Sequence, residues 1–461
     1  MVSTETTQQQ TGSKFLAEIK ASPNQSLLPL TAKINAQDHL EIGGCDVTEL
    51  VQQFGSPLYI MDEHSIRTAC GQYRDGFANN YSGESLVIYA SKALNCLAIC
   101  ALVKSEGLGI DVASGGELYT ALQAGVDPKT IYFHGNNKSQ GELEQALECD
   151  CTVVADNWWE LKTLAELAPG KSPRVMLRVT PGIECHTHEY IRTGHLDSKF
   201  GFDPNQVEAV FQFLADTPTL DFVGLHAHIG SQIFERQPHQ DLAGVLVKWL
   251  KAAQALGLPA RELNVGGGLG IRYTEADDPP SIGEWTAAVA KAVETACEVA
   301  QVSLPKLICE PGRSLIGNTG VTAYTLGSRK EVPETRTYIA VDGGMSDNAR
   351  PITYQAQYRS LLANKMNQPA TETVTVAGKH CESGDVLIKD ALLPKTEAGD
   401  TLVVMSTGAY GYSMASNYNR LLRPAMVLVG EGSAEIIVNR ETYQDLIRHD
   451  CLPKRLNTID N

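Results

Sequence analysis

Lys92 closes the apolar run LVIYASK (86–92), where an ammonium group has little water around it. Burial there should lower its pKa and leave a usable amine nucleophile, able to condense with an aldehyde. Taken alone, a lysine at a strand end is more often a snorkelling residue. Its companions alter that weighting. Gly266, Gly267 and Gly268 follow the run LNV, and glycines there let backbone N–H groups approach an anion. Glu310 stands in EPGR, where Pro311 and Gly312 stiffen the turn and Arg313 adds a second anion contact. In HAHIGSQ (226–232), His228 offers a flat face for a planar ring and Ser231 a hydroxyl for a phosphate. An aldehyde-capturing amine, a phosphate cradle and a carboxylate able to keep a pyridine nitrogen protonated together describe pyridoxal 5'-phosphate.

A rival chemistry shares these residues. The H-x-H spacing of His226 and His228 puts two imidazoles on one face of a strand, which suits a metal in a barrel hydrolase. Such a site wants further His and Asp at other strand ends, and those ends offer Lys92, glycines and EPGR, so no metal is expected. Cys185, His186 and His188 form a second polar cluster, read as an active-site loop rather than a metal centre.

The elements that must position these groups follow from periodicity. Eight short β-branched runs alternate with helical patterns: 86–92, 109–114, 130–135, 151–156, 174–181, 222–231, 263–270 and 307–313. Segments such as Gly116–Gly125 and Ser281–Ala300 fill the intervals with helical spacing. Eight βα units close most naturally into a (β/α)8 barrel, whose chemistry sits at the C-terminal ends of its strands. Lys92, Ser114, His134, Asp156, Arg178, His228, Gly266–Gly268 and Glu310 all lie at such ends. After about residue 316 the pattern becomes strand and turn without helices, which predicts a C-terminal, mainly β domain. The expected organisation is a mobile polar tail over 1–25, a segment over 26–56 joining the β domain through HLEIGGCDVTEL (39–50), the barrel over 57–316 and the β domain over 317–461.

Composition narrows the setting. The 461 residues are 43% hydrophobic and 20% charged, ordinary values for a globular chain. A formal charge of −16 argues against a binder of nucleic-acid phosphates. No apolar run approaches the length of a membrane span, and no secretory or transit signal is visible, so a cytoplasmic protein is expected. The 11 cysteines include no C-x-x-C pair, and most are expected to be reduced and buried.

The motifs YASKALN, VASGGEL, HGNNKS, RTGHLDSKFG, GLHAHIGSQI, NVGGGLGIRY, EPGR, DNARPITYQAQY, AGKHCESGDVL and GAYGYSMASNYN, in this order, resemble the diaminopimelate decarboxylase family. That family belongs to the alanine-racemase-like, fold-type III pyridoxal-phosphate enzymes. The resemblance runs from about residue 35 to 446 and leaves out the glutamine-rich start and PKRLNTIDN at the end. It implies that Lys92 binds the cofactor covalently, that His228 stacks on its ring, and that Gly268, Glu310, Gly312, Arg313 and Tyr410 contact it, beside the Gly266, Gly267 and Ser231 contacts read from the residues themselves. It assigns Arg313, Arg350, Tyr354, Glu382 and Tyr410 to the substrate, meso-2,6-diaminopimelate. It makes Cys381 the general acid, supplied by the neighbouring subunit of a homodimer.

The residues agree with that chemistry. A carboxylate at the pyridine nitrogen favours decarboxylation, whereas the racemases of this class carry an arginine there; Glu310 therefore argues against a racemase. A thiol is a workable proton donor near neutrality, which suits Cys381. Arg350 can grip a distal carboxylate while Glu382 accepts from a distal ammonium. Ornithine and arginine decarboxylases, which share the barrel, remain the nearest alternatives, and an inactive regulatory relative is a further one.

Overall fold

Alternation along each barrel strand sorts its side chains between two cores. Val87 and Tyr89 face the surrounding helices, whereas Ile88 between them faces inward. Tyr132, Val154, Met176, Val223 and Ile308 repeat this choice on other strands and join Ile88 in an interior layer. Such a layer fills the inside of a small barrel with side chains. The computed structural model describes residues 11–168, 170–183 and 198–456.

The barrel strands are Ser85–Ala90, Gly109–Val112, Ile131–Phe133, Thr152–Ala155, Arg174–Arg178, Asp221–His226, Glu262–Asn264 and Lys306–Cys309. They pair in chain order, all parallel, and the last closes on the first. The eight predicted runs thus form a closed barrel. Helices follow where the spacing placed them, as in Gly115–Gln123 and Ile282–Ala300. The second starts at a reciprocal cap: the Ser281 hydroxyl oxygen accepts from the Glu284 N–H, and the Glu284 carboxylate accepts from the Ser281 N–H.

The C-terminal half builds a nine-stranded sheet around the long strand Gly320–Val332. That strand pairs with Arg336–Val341, with Thr401–Val404 and with Leu58–Asp62. Leu58–Asp62 was expected to open the barrel. It lies instead in this sheet, parallel to Ala425–Gly430, because Leu58 and Ile60 fill the β-domain core. The stretch 39–50 contributes Leu40–Ile42 and Cys45–Asp46 to a small separate sheet and the helix Val47–Phe54; its apolar residues pack into that same core.

The mobile tail expected over 1–25 is corrected for its described part. From Thr11 the chain lies against the body: Phe15 is buried, and the fully buried Asn24 donates its amide to the carbonyls of Gly270 and Pro280. A short polar segment can be ordered without a hydrophobic period when its polar groups are used for hydrogen bonds.

Candidate functional site

Three strand ends are tied together through their backbones. Ala90 donates its N–H to Pro311 O at 3.0 Å, and Glu310 donates to Gly266 O at 2.8 Å. These bonds set the turn Ser91–Ala93, the glycine run and EPGR side by side. Together they border a cavity of about 410 Å³, a volume suited to a small ligand. Lys92, His228, Ser231, Gly268, Glu310, Gly312, Arg313, Arg350, Tyr354 and Tyr410 all line it, so the structure gathers most of the sequence-derived candidates. Gly266 and Gly267 stand behind them, and their role is steric: a Cβ on Gly267 would lie 2.1 Å from Glu310 O. Gly266 has φ +66°, and a Cβ there would meet His228 Nδ1 at 2.7 Å.

Glu310 is a buried anion with two hydrogen-bond donors and a third ring nitrogen close by. Asn264 Nδ2 lies 2.7 Å and His134 Nε2 2.8 Å from Oε1, and His226 Nε2 lies 3.1 Å from Oε2. Burial alone would raise its pKa, but the two imidazoles outweigh burial and hold the carboxyl well below the usual range. Burial also pulls His226 down to about 4, so it is neutral near pH 7 and can donate through Nε2. His228 is likewise kept neutral by burial and accepts the Gly267 N–H at Nδ1, 3.2 Å away. The imidazoles proposed as a metal pair therefore have separate partners. His134, His226 and Glu310 do bring possible ligand atoms within 4.8 Å of one another, and His226 uses its Nε2 on the carboxylate.

The expected depression of the Lys92 pKa is overturned. Burial does push the ammonium down, but the oxygen-bearing groups around it, Asp111 first, then Tyr410 and Glu310, outweigh burial and leave it raised. The side chain lies deep in the barrel mouth, yet it faces the open cavity, so solvent still reaches it. Asp111 sits at the end of the second barrel strand and His134 just past the third; strand-end position flagged His134, but no motif announced the role of either. Arg178, at the end of the fifth strand, is 3.8 Å from Asp156 and stacks 4.2 Å from the Phe200 ring. The loop bearing His134 is pinned by buried Lys138, whose ammonium donates to Gly135 O, Val154 O and Glu160.

The β domain supplies the remaining wall. Tyr410 adopts φ +58°, a costly conformation for a residue with a Cβ, and its N–H donates to Ala93 O at 2.8 Å, beside Lys92. Arg350 begins the helix Arg350–Tyr354 and reaches the cavity together with Arg313 from the barrel. Arg313 donates to Ser231 Oγ at 3.0 and 3.2 Å. Cys381 and Glu382 are exposed and do not line this cavity. Their turn is held by Asp385, whose carboxylate accepts from the His380 N–H and ring and from the Met345 N–H. The cluster of Cys185, His186 and His188 lies outside the described residues.

The cavity fits pyridoxal phosphate by its donor set: an amine on Lys92, an anion at Glu310, a neutral ring at His228, and hydroxyl and guanidinium groups at Ser231 and Arg313. Its glycines cannot be replaced cheaply, since a Cβ on Gly268 would lie 2.7 Å from Gly230 O.

Residues 63–317 match the family "Pyridoxal-dependent decarboxylase, pyridoxal binding domain". The chain is 62% identical to a diaminopimelate decarboxylase of Synechocystis sp., over 99% of this chain and all of that one. It is 46% identical to the Bacillus subtilis diaminopimelate decarboxylase, over 91% of this chain and 97% of the other. A crystal structure of the M. jannaschii diaminopimelate decarboxylase in complex with L-lysine superimposes with a TM-score of 0.86 at 34% identity, covering 92% of this chain and 99% of that one. With a cavity built for its cofactor and relatives matched from end to end, the chain belongs to the diaminopimelate decarboxylase family.

Proposed function

We propose that this protein decarboxylates meso-2,6-diaminopimelate to L-lysine and CO2 in the cytoplasm, as a homodimer whose active sites are shared between subunits. The observation that carries the substrate is the meeting of Arg313 and Arg350, from the two halves of the chain, on a wall of the cavity that also holds Lys92 and Glu310. Among the described residues the hydrogen-bond partners of both guanidinia are hydroxyls and neither pairs with a carboxylate, which suits a ligand with an acid group at its far end. Ornithine and arginine lack that group.

Pyridoxal phosphate supplies the electron sink that accepts the pair released with CO2. In this reading Lys92 holds it through its amine, His228 covers one face of its ring, and Gly268, Gly312 and Ser231 hold its phosphate. Glu310, kept anionic by its Asn264 and His226 donors and the nearby His134 ring, retains a proton at the ring nitrogen. Arg313, Arg350 and Tyr354 orient the distal carboxylate, while Tyr410 closes the wall next to Lys92. The proton for the α-carbon comes from the partner subunit's Cys381, and the partner subunit's Glu382 accepts from the distal ammonium. The turn held by Asp385 supports that arrangement, because in its own chain Cys381 and Glu382 are exposed and line no part of the cavity.

The test is product analysis on the purified protein with and without added pyridoxal phosphate. L-lysine and CO2 are expected from meso-diaminopimelate. Faster amine release from ornithine or arginine would refute the substrate.

A further inference from the structure

Tyr273 lies behind the two arginines. It follows the glycine run, is 7% exposed, and is not among the residues lining the cavity. Its hydroxyl oxygen accepts from Arg313 Nη1 at 2.7 Å and from Arg350 Nη1 at 2.6 Å. One phenol oxygen therefore bridges a guanidinium of the barrel and a guanidinium of the β domain. Both groups also lie near its ring, at 5.8 and 5.0 Å from the centroid. Arg350 donates in addition to Tyr358 Oη at 2.8 Å, and the rings of Tyr273 and Tyr358 meet edge to face at 5.3 Å.

Two like charges brought together in a buried wall repel each other and need a shared acceptor. Burial alone would raise the Tyr273 pKa, but Arg313 and Arg350 outweigh burial and lower it, as that role requires. The oxygen is also held in place. The Tyr273 and Thr274 N–H groups donate to the Asp277 carboxylate at 3.1 and 2.8 Å. Arg272, just before it, donates its N–H to Asn24 O at 2.9 Å, and its carbonyl accepts from Asn318 at 2.7 Å. Segments distant in sequence thus converge on one loop, and the loop has one side chain aimed at both guanidinia.

We infer that Tyr273 is a positioning residue that fixes Arg313 and Arg350 at the spacing that selects a substrate with a carboxylate remote from the reacting carbon. The inference rests on the assignment of those arginines to the distal carboxylate. Removing the oxygen leaves two buried cations with one acceptor fewer, so each guanidinium turns toward its remaining partner, Ser231 or Tyr358. Distal-carboxylate binding then weakens, and groups acting at the α-carbon are untouched.

The test uses the holoenzyme with Tyr273→Phe, which keeps the ring and its contact with Tyr358. KM for meso-diaminopimelate is expected to rise about tenfold, the effect of about 1.4 kcal/mol of lost binding, with kcat within about twofold. L-lysine keeps the distal carboxylate and its Ki should rise with KM, whereas cadaverine, the same diamine chain with no carboxylate, should inhibit with an unchanged Ki, a readout that general loosening of the site would not spare. Arg350→Ala is the control for the underlying assignment and should raise the substrate KM more than the cadaverine Ki. If Arg350→Ala weakens both ligands equally, the arginine assignment fails and the inference with it. If Arg350→Ala discriminates and Tyr273→Phe does not, the assignment stands and the inference alone is overturned. Loss of cofactor absorbance in Tyr273→Phe also overturns it, because Tyr273 would then hold the whole site rather than the distal pair.

Discussion

Glu310→Gln isolates charge from shape. The amide nearly matches the carboxyl in volume, so the cavity stays the same size while the anion is lost. In the native site Oε1 takes the Asn264 amide and lies 2.8 Å from the His134 ring, and Oε2 takes the His226 ring. A glutamine must turn its NH2 toward one of these sides. His226 can adapt by switching tautomer, because burial keeps it neutral and its Nδ1 has no hydrogen-bond partner among the described residues. The structural cost is therefore one strained buried hydrogen bond, about 1–3 kcal/mol, which a chain of this size can absorb. The catalytic cost is larger. A preorganised group aimed at developing charge in a buried site contributes about 10²–10³ in kcat, equivalent to about 3–4 kcal/mol. The assay measures CO2 release under saturating substrate alongside cofactor absorbance. A fall of at least about a hundredfold with cofactor content within about twofold is expected. A rate within about threefold of the parent at full cofactor content would refute the argument and reduce Glu310 to a structural anchor.

Three further outcomes follow from the same geometry. Borohydride reduction should fix the cofactor on Lys92, as found by peptide mapping, and label on Lys104 or Lys379 would overturn that assignment. Inactive Lys92→Ala and Cys381→Ala chains, unfolded together and refolded at equal concentrations, should recover about a quarter of the parent activity: half the dimers are mixed and each mixed dimer holds one intact site. A mixture that stays inactive while refolded parent protein recovers would exclude a shared site. His239 is buried against Trp285, and burial lowers its pKa to about 4 from an ordinary value near 6.5. Between those values the unfolded chain takes up the proton and the folded chain does not, so stability is full above about pH 6.5 and falls as the pH drops toward about 4. The loss from this group between pH 7.5 and 5 is about 2 kcal/mol. Urea midpoints of His239→Leu should show a shallower acid limb than the parent, and parallel limbs would contradict the assignment.

The sequence by itself determined the barrel and much of the reactive set. Strand and helix periods are local properties, and the end of a barrel strand is a fixed place for chemistry, so Lys92, His228 and Glu310 were legible from their positions alone. The motifs added Arg350, Tyr354 and Tyr410, which lie far along the chain and meet the barrel only after folding. Tertiary structure decided what depends on neighbours. Leu58–Asp62 reads as a barrel entrance but takes its place from the cores it touches, and that choice is not encoded in its own alternation. The polar stretch after Thr11 looked unstructured because its order comes from hydrogen bonds to residues some 250 positions away, such as Asn24 to Gly270. The sign of the Lys92 shift escaped for the same reason: burial was predictable from the strand, whereas the opposing carboxylate of Asp111 comes from the next strand over. Tyr273 gave no signal in the sequence, since a tyrosine after a glycine run is commonly core. Only folding placed its oxygen between two arginines 37 residues apart in sequence. A contact between distant residues depends on the whole path of the chain, which local pattern does not carry.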